Sequence, residues 1–151
     1  MERRLWNDLR CGMTNAQILN ALRETARQEG CAAPYFLEAA AQNATWQWGM
    51  TTDGAFLAGM AVVPDPAGDN RGWFVVYPGA ILESPFQIRP MFQRFRDLAR
   101  LGPYDELRAW VVAGSAREER FAAWFGFLYD CGPATGYSPT GLDMNLWLWR
   151  R

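Results

Sequence analysis

The sequence predicts an α+β domain: a mixed β-sheet flanked by helices. Three observations predict it. Trp46 and Trp48 alternate with polar residues ahead of a Thr-Asp-Gly turn, which marks an antiparallel hairpin. Residues 71–127 then read strand, helix, strand, helix, the order of a parallel pair joined by a crossover. The final residues return to a two-residue alternation. At 151 residues the chain is most economically a single domain, 1–151, long enough to bury a core.

The elements follow in order. Met1 to Met13 is either a first strand or a docking arm. Thr14-Asn-Ala-Gln17 has capping-box spacing, and Ile18, Leu19, Leu22 and Ala26 follow at helical intervals up to a stop at Gly30. Pro34 to Gln42 reads as a short helix whose buried side is Phe36, Leu37 and Ala40. The hairpin comprises Thr45 to Trp48, the turn Thr52-Asp53-Gly54, and a strand from Ala55 to Val63. Pro64 to Asn70 is a polar loop.

Gly72 to Tyr77 is rich in β-branched and aromatic residues, as a strand buried on both faces would be. Either Ser84-Pro85 or Arg89-Pro90 can open the next helix, because its first N–H groups lack partners in any case. That helix carries Met91, Phe95, Leu98 and Leu101 on one side and ends at Gly102-Pro103. Leu107 to Val112 is a strand, and Ser115 can cap a helix reaching Trp124. After the Gly126-Phe127 step come a strand to Cys131, a loop from Gly132 to Gly141, and a last strand from Leu142 to Trp149. In that strand Leu142, Met144, Leu146 and Leu148 alternate with Asp143, Asn145, Trp147 and Trp149.

Composition narrows the chemistry. The formal charge is −1, and all fifteen cationic residues are arginine. Nucleic acid is therefore an unlikely partner. With no histidine or lysine there is no Ser-His-Asp triad, no imidazole metal site, no P-loop lysine and no Schiff base. No metal is expected. Cys11, Cys31 and Cys131 form no paired motif, which suits free thiols. No run is long enough for a membrane span, and no secretory signal opens the chain.

Some side chains admit two readings. Arg89, Arg96 and Arg100 share one helix face, which is either a solvated surface or an interface for acidic groups. Glu118 and Glu119 read first as first-turn acids favoured by the helix dipole, and second as catalytic carboxylates. Trp147 and Trp149 lie on the otherwise polar side of the last strand. They are either an exposed interface patch or are covered by the N-terminal arm or the Gly132–Gly141 loop.

The element order resembles the GNAT acyltransferase fold, in which two central strands splay and acyl-CoA lies between them. Within residues 71–127, the pieces Trp73-Phe74-Val75, Phe95-Arg96-Asp97, Tyr104-Asp105-x-Leu107, Val111, Gly114-Ser115, Arg120-Phe121 and Gly126 resemble the internal virion protein A family of T7-like podophages. The GNAT resemblance implies a glycine-rich pyrophosphate loop at Tyr77 to Ser84, where only Gly79 is present, Pro78 removes a donor and Glu83 adds negative charge. It also implies a tyrosine acid four residues before Gly126, and that position is Ala122. These departures favour a non-catalytic GNAT-like protein of phage type, without a cofactor. Its expected place is the virion or host cytoplasm, and its expected partners are other virion proteins or itself. The alternative is an acetyl-CoA-dependent N-acetyltransferase with an atypical loop, in which Val75, Val76, Tyr77, Gly79 and Ala80 hold the cofactor.

Overall fold

The capping box expected at Thr14 forms reciprocally. Thr14 N donates to Gln17 Oε1 at 2.8 Å, and Gln17 N donates to Thr14 Oγ1 at 3.2 Å. From it runs α1, Asn15–Gln28, followed by α2, Tyr35–Asn43. The strands β1 (Trp46–Thr52), β2 (Ala55–Pro64) and β3 (Arg71–Tyr77) come next. They lead into α3 (Pro85–Leu101), β4 (Glu106–Val112), α4 (Ala116–Trp124), β5 (Leu128–Ala134) and β6 (Met144–Arg150). The computed structural model describes residues 14–28, 35–52, 55–68, 70–77, 85–138 and 140–151. The 1–13 segment, the tip of the first hairpin and residues 78–84 therefore lie outside the described residues.

The described strands form one sheet in the order β1-β2-β3-β4-β6-β5. Only β3 and β4 run parallel; every other neighbouring pair is antiparallel. This is the expected mixed sheet, with α3 as the crossover helix. Pro85, rather than Pro90, opens α3, so Pro90 sits inside the helix and withholds one N–H from its ladder.

Side chains alternate between two faces. One face packs under α1 and α2 through Ile18, Leu22, Ala40, Ala41 and Ala61. The other holds the larger core, in which Met91, Phe95 and Leu98 of α3 meet Met60, Val62, Phe74 and Leu107 of the sheet. Phe74 touches Phe95, Phe125 and Phe127 at ring separations of 5.1, 5.5 and 5.4 Å. Burial of side chains this size contributes roughly 1.5–3 kcal/mol each, so this aromatic knot is what clamps α3 and the end of α4 onto the sheet.

Three expectations change. Gln47 is buried along with Trp46 and Trp48, because β1 is covered on both faces there. β5 continues to Ala134, so the predicted ten-residue loop starts three residues late; Leu142 lies outside β6 and is exposed. Trp147 and Trp149 are not an exposed patch. They pack against the larger core, with Trp149 edge-on to Phe95 at 6.1 Å and Trp147 edge-on to Tyr129 at 6.3 Å. Among the described residues, α3 and β5 contribute to their cover through Phe95 and Tyr129.

Candidate functional site

The parallel ladder between β3 and β4 is short. It joins Arg71 to Glu106, Gly72 to Leu107 and Trp73 to Arg108, and then stops. Beyond it, β3 is paired with β2 as far as Tyr77 and β4 with β6 as far as Val112. The two strands therefore diverge into a wedge whose walls are strand edges.

The closed end of the wedge is tied down. Asn70 O accepts from Asp105 N at 2.8 Å and from Glu106 N at 3.3 Å. Arg108 Nε donates to Glu106 Oε1 at 2.9 Å and its guanidinium reaches Asp65 at 3.8 Å, while Arg150 Nε meets Glu106 Oε2 at 3.4 Å. The hydrogen bond from Arg108 holds the Glu106 carboxyl below its ordinary value of 4.5, with the positive charges of Arg108 and Arg71 adding to it.

Along the β3 wall, Val75 packs toward the α1/α2 core and Val76 toward the α3/α4 core. Both side chains are thus engaged on the faces of the sheet. What β3 offers the wedge over Phe74–Tyr77 is its backbone edge. Unpaired N–H and C=O groups of such an edge need partners. On the α1/α2 face, rings stand in a row beside the wedge. Trp73 stacks on Trp110 at 5.9 Å and 12°, Trp110 on Tyr137 at 4.5 Å, and the Arg108 guanidinium lies 5.9 Å from the Trp73 ring.

The open end is marked by Glu118. Its Oε2 accepts Val112 N–H at 3.0 Å, and its own N–H donates to Ser115 Oγ at 3.4 Å, the expected N-cap. Successive N–H groups of a strand point to opposite sides. Ala113 N donates to Asp143 O on the β6 side, so Val112 N–H points to the β3 side, as Glu106 N does at the other end. The Glu118 carboxylate accordingly stands at the wedge mouth.

Of the residues the sequence singled out, Val75, Val76 and Tyr77 fall in the diverging part of β3, whereas Gly79 and Ala80 lie outside the described residues. Arg89, Arg96 and Arg100 are all exposed along α3. Arg96 lines a hollow of roughly 170 Å³ with Phe92, Trp124, Gly126 and Trp149, and Arg100 faces Asp97 at 3.7 Å. Trp149 belongs to that hollow too, because the Gly126 φ of +87° turns the chain directly beside its ring. Ala122 is buried in the core, so no acid stands there. The contact between Trp110 and Tyr137 was not foreseen, since a ring contact between a strand and a distant loop leaves no local pattern. Among the described residues there is no group of three or more His, Cys, Asp or Glu side chains suited to a metal, and no helix is long and apolar enough to cross a membrane.

Similar solved structures are acetyltransferases. The IAA acetyltransferase from Bacillus cereus ATCC 14579 gives a TM-score of 0.68 over 92% of this chain and 96% of its own, at 9% identity. The ribosomal-protein-alanine N-acetyltransferase from Brucella melitensis gives 0.66 over 93% and 98%, at 16% identity. The microcin C7 self-immunity acetyltransferase MccE, in complex with acetyl-CoA and AMP, gives 0.58 over 77% and 68%, at 11% identity. No protein-family model matches the chain, and no curated protein matches its sequence. The fold is GNAT-like, the fold of acetyltransferases. The expected kinship with podophage virion proteins finds no counterpart among these structures.

Proposed function

We propose that this chain is an acetyl-CoA-dependent N-acyltransferase that holds its acyl donor in the wedge between β3 and β4. The observation that carries the reading is the parallel ladder that ends after Trp73 and Arg108, leaving strand edges facing each other across a gap. The donor's pantetheine arm is extended and carries two amides. An arm of that kind can pair with the β3 backbone from Val75 to Tyr77 as another strand would. Gly79 and Ala80, with the start of α3, would meet its phosphates.

The donor supplies an activated acyl carbon. The acceptor nitrogen bonds to that carbon, the carbon–sulfur bond breaks, the thiolate leaves and the nitrogen gives up a proton. The chain's part is to orient the two reactants and shield them from water. Ala122 supplies no proton donor, so the proton that the thiolate takes up is balanced by the one the acceptor nitrogen releases.

A second reading keeps a specific observation in its favour. The methyl group of Ala122 and the single glycine of Tyr77 to Ser84 suit a GNAT-like protein without catalysis, assembling with virion proteins or with itself. Calorimetric titration with acetyl-CoA, read beside a thermal melt, separates the two. Binding is expected to stabilise the fold by about 2.7 kcal/mol at one hundred times the dissociation constant. Absence of both heat and stabilisation at millimolar acetyl-CoA would overturn the transferase reading and favour the second.

A further inference from the structure

We infer that the hollow between α3 and the end of α4 is a second ligand site, and that it takes a small aromatic carboxylate. The hollow lies apart from the open wedge. Trp149, which lines it, pairs across the sheet with Leu107, at the closed end. Arg96, which also lines it, is eleven residues beyond Pro85. That is roughly 16 Å along the helix axis from the start of α3, where the donor's phosphates are proposed to bind. The inference therefore goes beyond the transferase reading and stands on other residues.

Three elements build the hollow. Phe92, Arg96 and Ala99 follow at four- and three-residue spacing, so they share one stripe of α3. Trp124 ends α4, and Phe125 follows it. Phe92 meets Trp124 edge-on at 6.0 Å and Phe125 at 4.6 Å, which makes a continuous aromatic wall. Gly126 leaves the indole edge of Trp149 uncovered. A Cβ there would lie 3.5 Å from Trp149 Cδ1 and 3.9 Å from its Nε1. The space amounts to roughly 170 Å³. A cavity of about 150 Å³ with apolar walls takes one benzene ring, so this one is of the size for a single ring. Trp124 is 55% exposed, which leaves ring surface for a ligand to cover.

The polar side-chain groups around the hollow are donors: the Arg96 guanidinium and the indole N–H groups of Trp124 and Trp149. Arg96 is the one ionisable side chain among the described lining residues. No carboxylate pairs with it among the described residues, and Asp97 beside it faces Arg100 at 3.7 Å. Arg96 is exposed although it lines the hollow. A long side chain so placed lays its stem on apolar surface and keeps its charge at the rim. The complement of aromatic walls and a rim cation is a flat apolar body bearing an anion. A carboxylate matches the guanidinium fork with two parallel N–H···O bonds, which a neutral ring cannot do. An aromatic amine would meet the same walls but be repelled as its ammonium ion by Arg96.

The test uses benzoate as the probe, with benzyl alcohol and benzylamine as its neutral and cationic analogues. Each is titrated at millimolar concentration into the full chain carrying isotope-labelled tryptophan, and the indole N–H signals are followed by NMR. Benzoate is expected to move the signals of Trp124 and Trp149 and to leave those of Trp73 and Trp110, on the other face of the sheet, in place. Arg96→Gln changes an exposed position, so the melting temperature should hold while benzoate binding weakens about tenfold or more. Arg96→Lys should recover only part of that loss, because a point charge lacks the fork. Benzyl alcohol should bind wild type and Arg96→Gln alike. Benzoate that moves neither indole signal, that binds Arg96→Gln as tightly as wild type, or that binds no better than benzyl alcohol would overturn the site. The probe shares nothing with acetyl-CoA, so failure of acetyl-CoA to bind would end the transferase reading and leave this result standing.

Discussion

Val112 gives its backbone N–H to the Glu118 carboxylate at 3.0 Å, the bond that ends β4 on the side facing β3. At the other end of the same strand edge, Glu106 N donates to Asn70 O, a backbone group at the entrance to β3. One end of β4 is thus held by the neighbouring strand and the other by a side chain from its own following helix. The divergence between them is built into the chain's hydrogen bonds rather than left over by loose packing. Ser115 makes it possible, because its N-cap sets where α4 starts and hence where Glu118 falls.

The acid response of the fold should run through Glu106. Its side chain is only 12% exposed and touches both Arg108 and Arg150. A carboxyl whose folded pKa is lowered stabilises the protein above its unfolded value, here 4.5, and that stability is lost as pH falls through the lower folded value. Urea unfolding should therefore show declining stability below about pH 5. Glu106→Gln should cost about 0.5–1.5 kcal/mol at pH 7, because it removes the charge that the part-buried Arg108 and the exposed Arg150 guanidinium groups share. It should also flatten the acid decline; an unchanged slope would remove Glu106 as its cause.

Gly72 should not tolerate even one added methyl. A Cβ there would run into the Val62 side chain and come within 3.3 Å of Val63 O, with Leu107 on the far side. Both neighbours are core residues at 0% exposure, so neither can swing away. Gly72→Ala should destabilise by about 1–3 kcal/mol as an overpacked site does. A melt at one scan rate would show it as a drop of several degrees, about 2–4 °C per kcal/mol. A neutral result would mean that β3 and β2 can shift apart.

Most of the architecture was legible because local signals agreed with tertiary ones. The Thr14–Gln17 box, the Met91–Phe95–Leu98 stripe and Ser115 each carry their message within one or two helical turns, and each element appears where that message put it, while Pro85 was one of two openings the sequence allowed for α3. The last strand was misread for a physical reason. Its leucines and tryptophans are both apolar, so alternation alone could not say which set faces the core. Asn145 and Asp143 lent the tryptophan side a polar look, yet Val111↔Asn145, Ala109↔Trp147 and Leu107↔Trp149 place that side with the buried residues of β4. The wedge was visible only as a resemblance, since nothing in Phe74–Tyr77 or Ala109–Val112 announces where a ladder stops. Glu118 was noticed as a first-turn acid, but its bond to Val112 depends on how α4 turns back, which no spacing encodes.

Arg151 closes α3, and no helix-stop signal within α3 itself could have indicated it. Its guanidinium donates to Arg100 O at 3.5 Å, to Tyr104 O at 3.1 and 3.2 Å, and to Gly102 O. These carbonyls sit at and just beyond the end of α3, where helical partners run out and the dipole is negative. The contact also locks β6 to the closed end of the wedge, since Arg151 N donates to Asp105 O at 2.9 Å. Arg151→Ala should therefore cost about 1–2 kcal/mol, less than a core cavity because water can reach part of the site. Arg151→Lys separates charge from geometry. A point charge complements the dipole but cannot present the planar fork that reaches three carbonyls at once. Lysine should recover only part of the loss in urea unfolding. Full recovery would assign the effect to the dipole alone, and no loss in the alanine variant would show that solvent satisfies these carbonyls equally well.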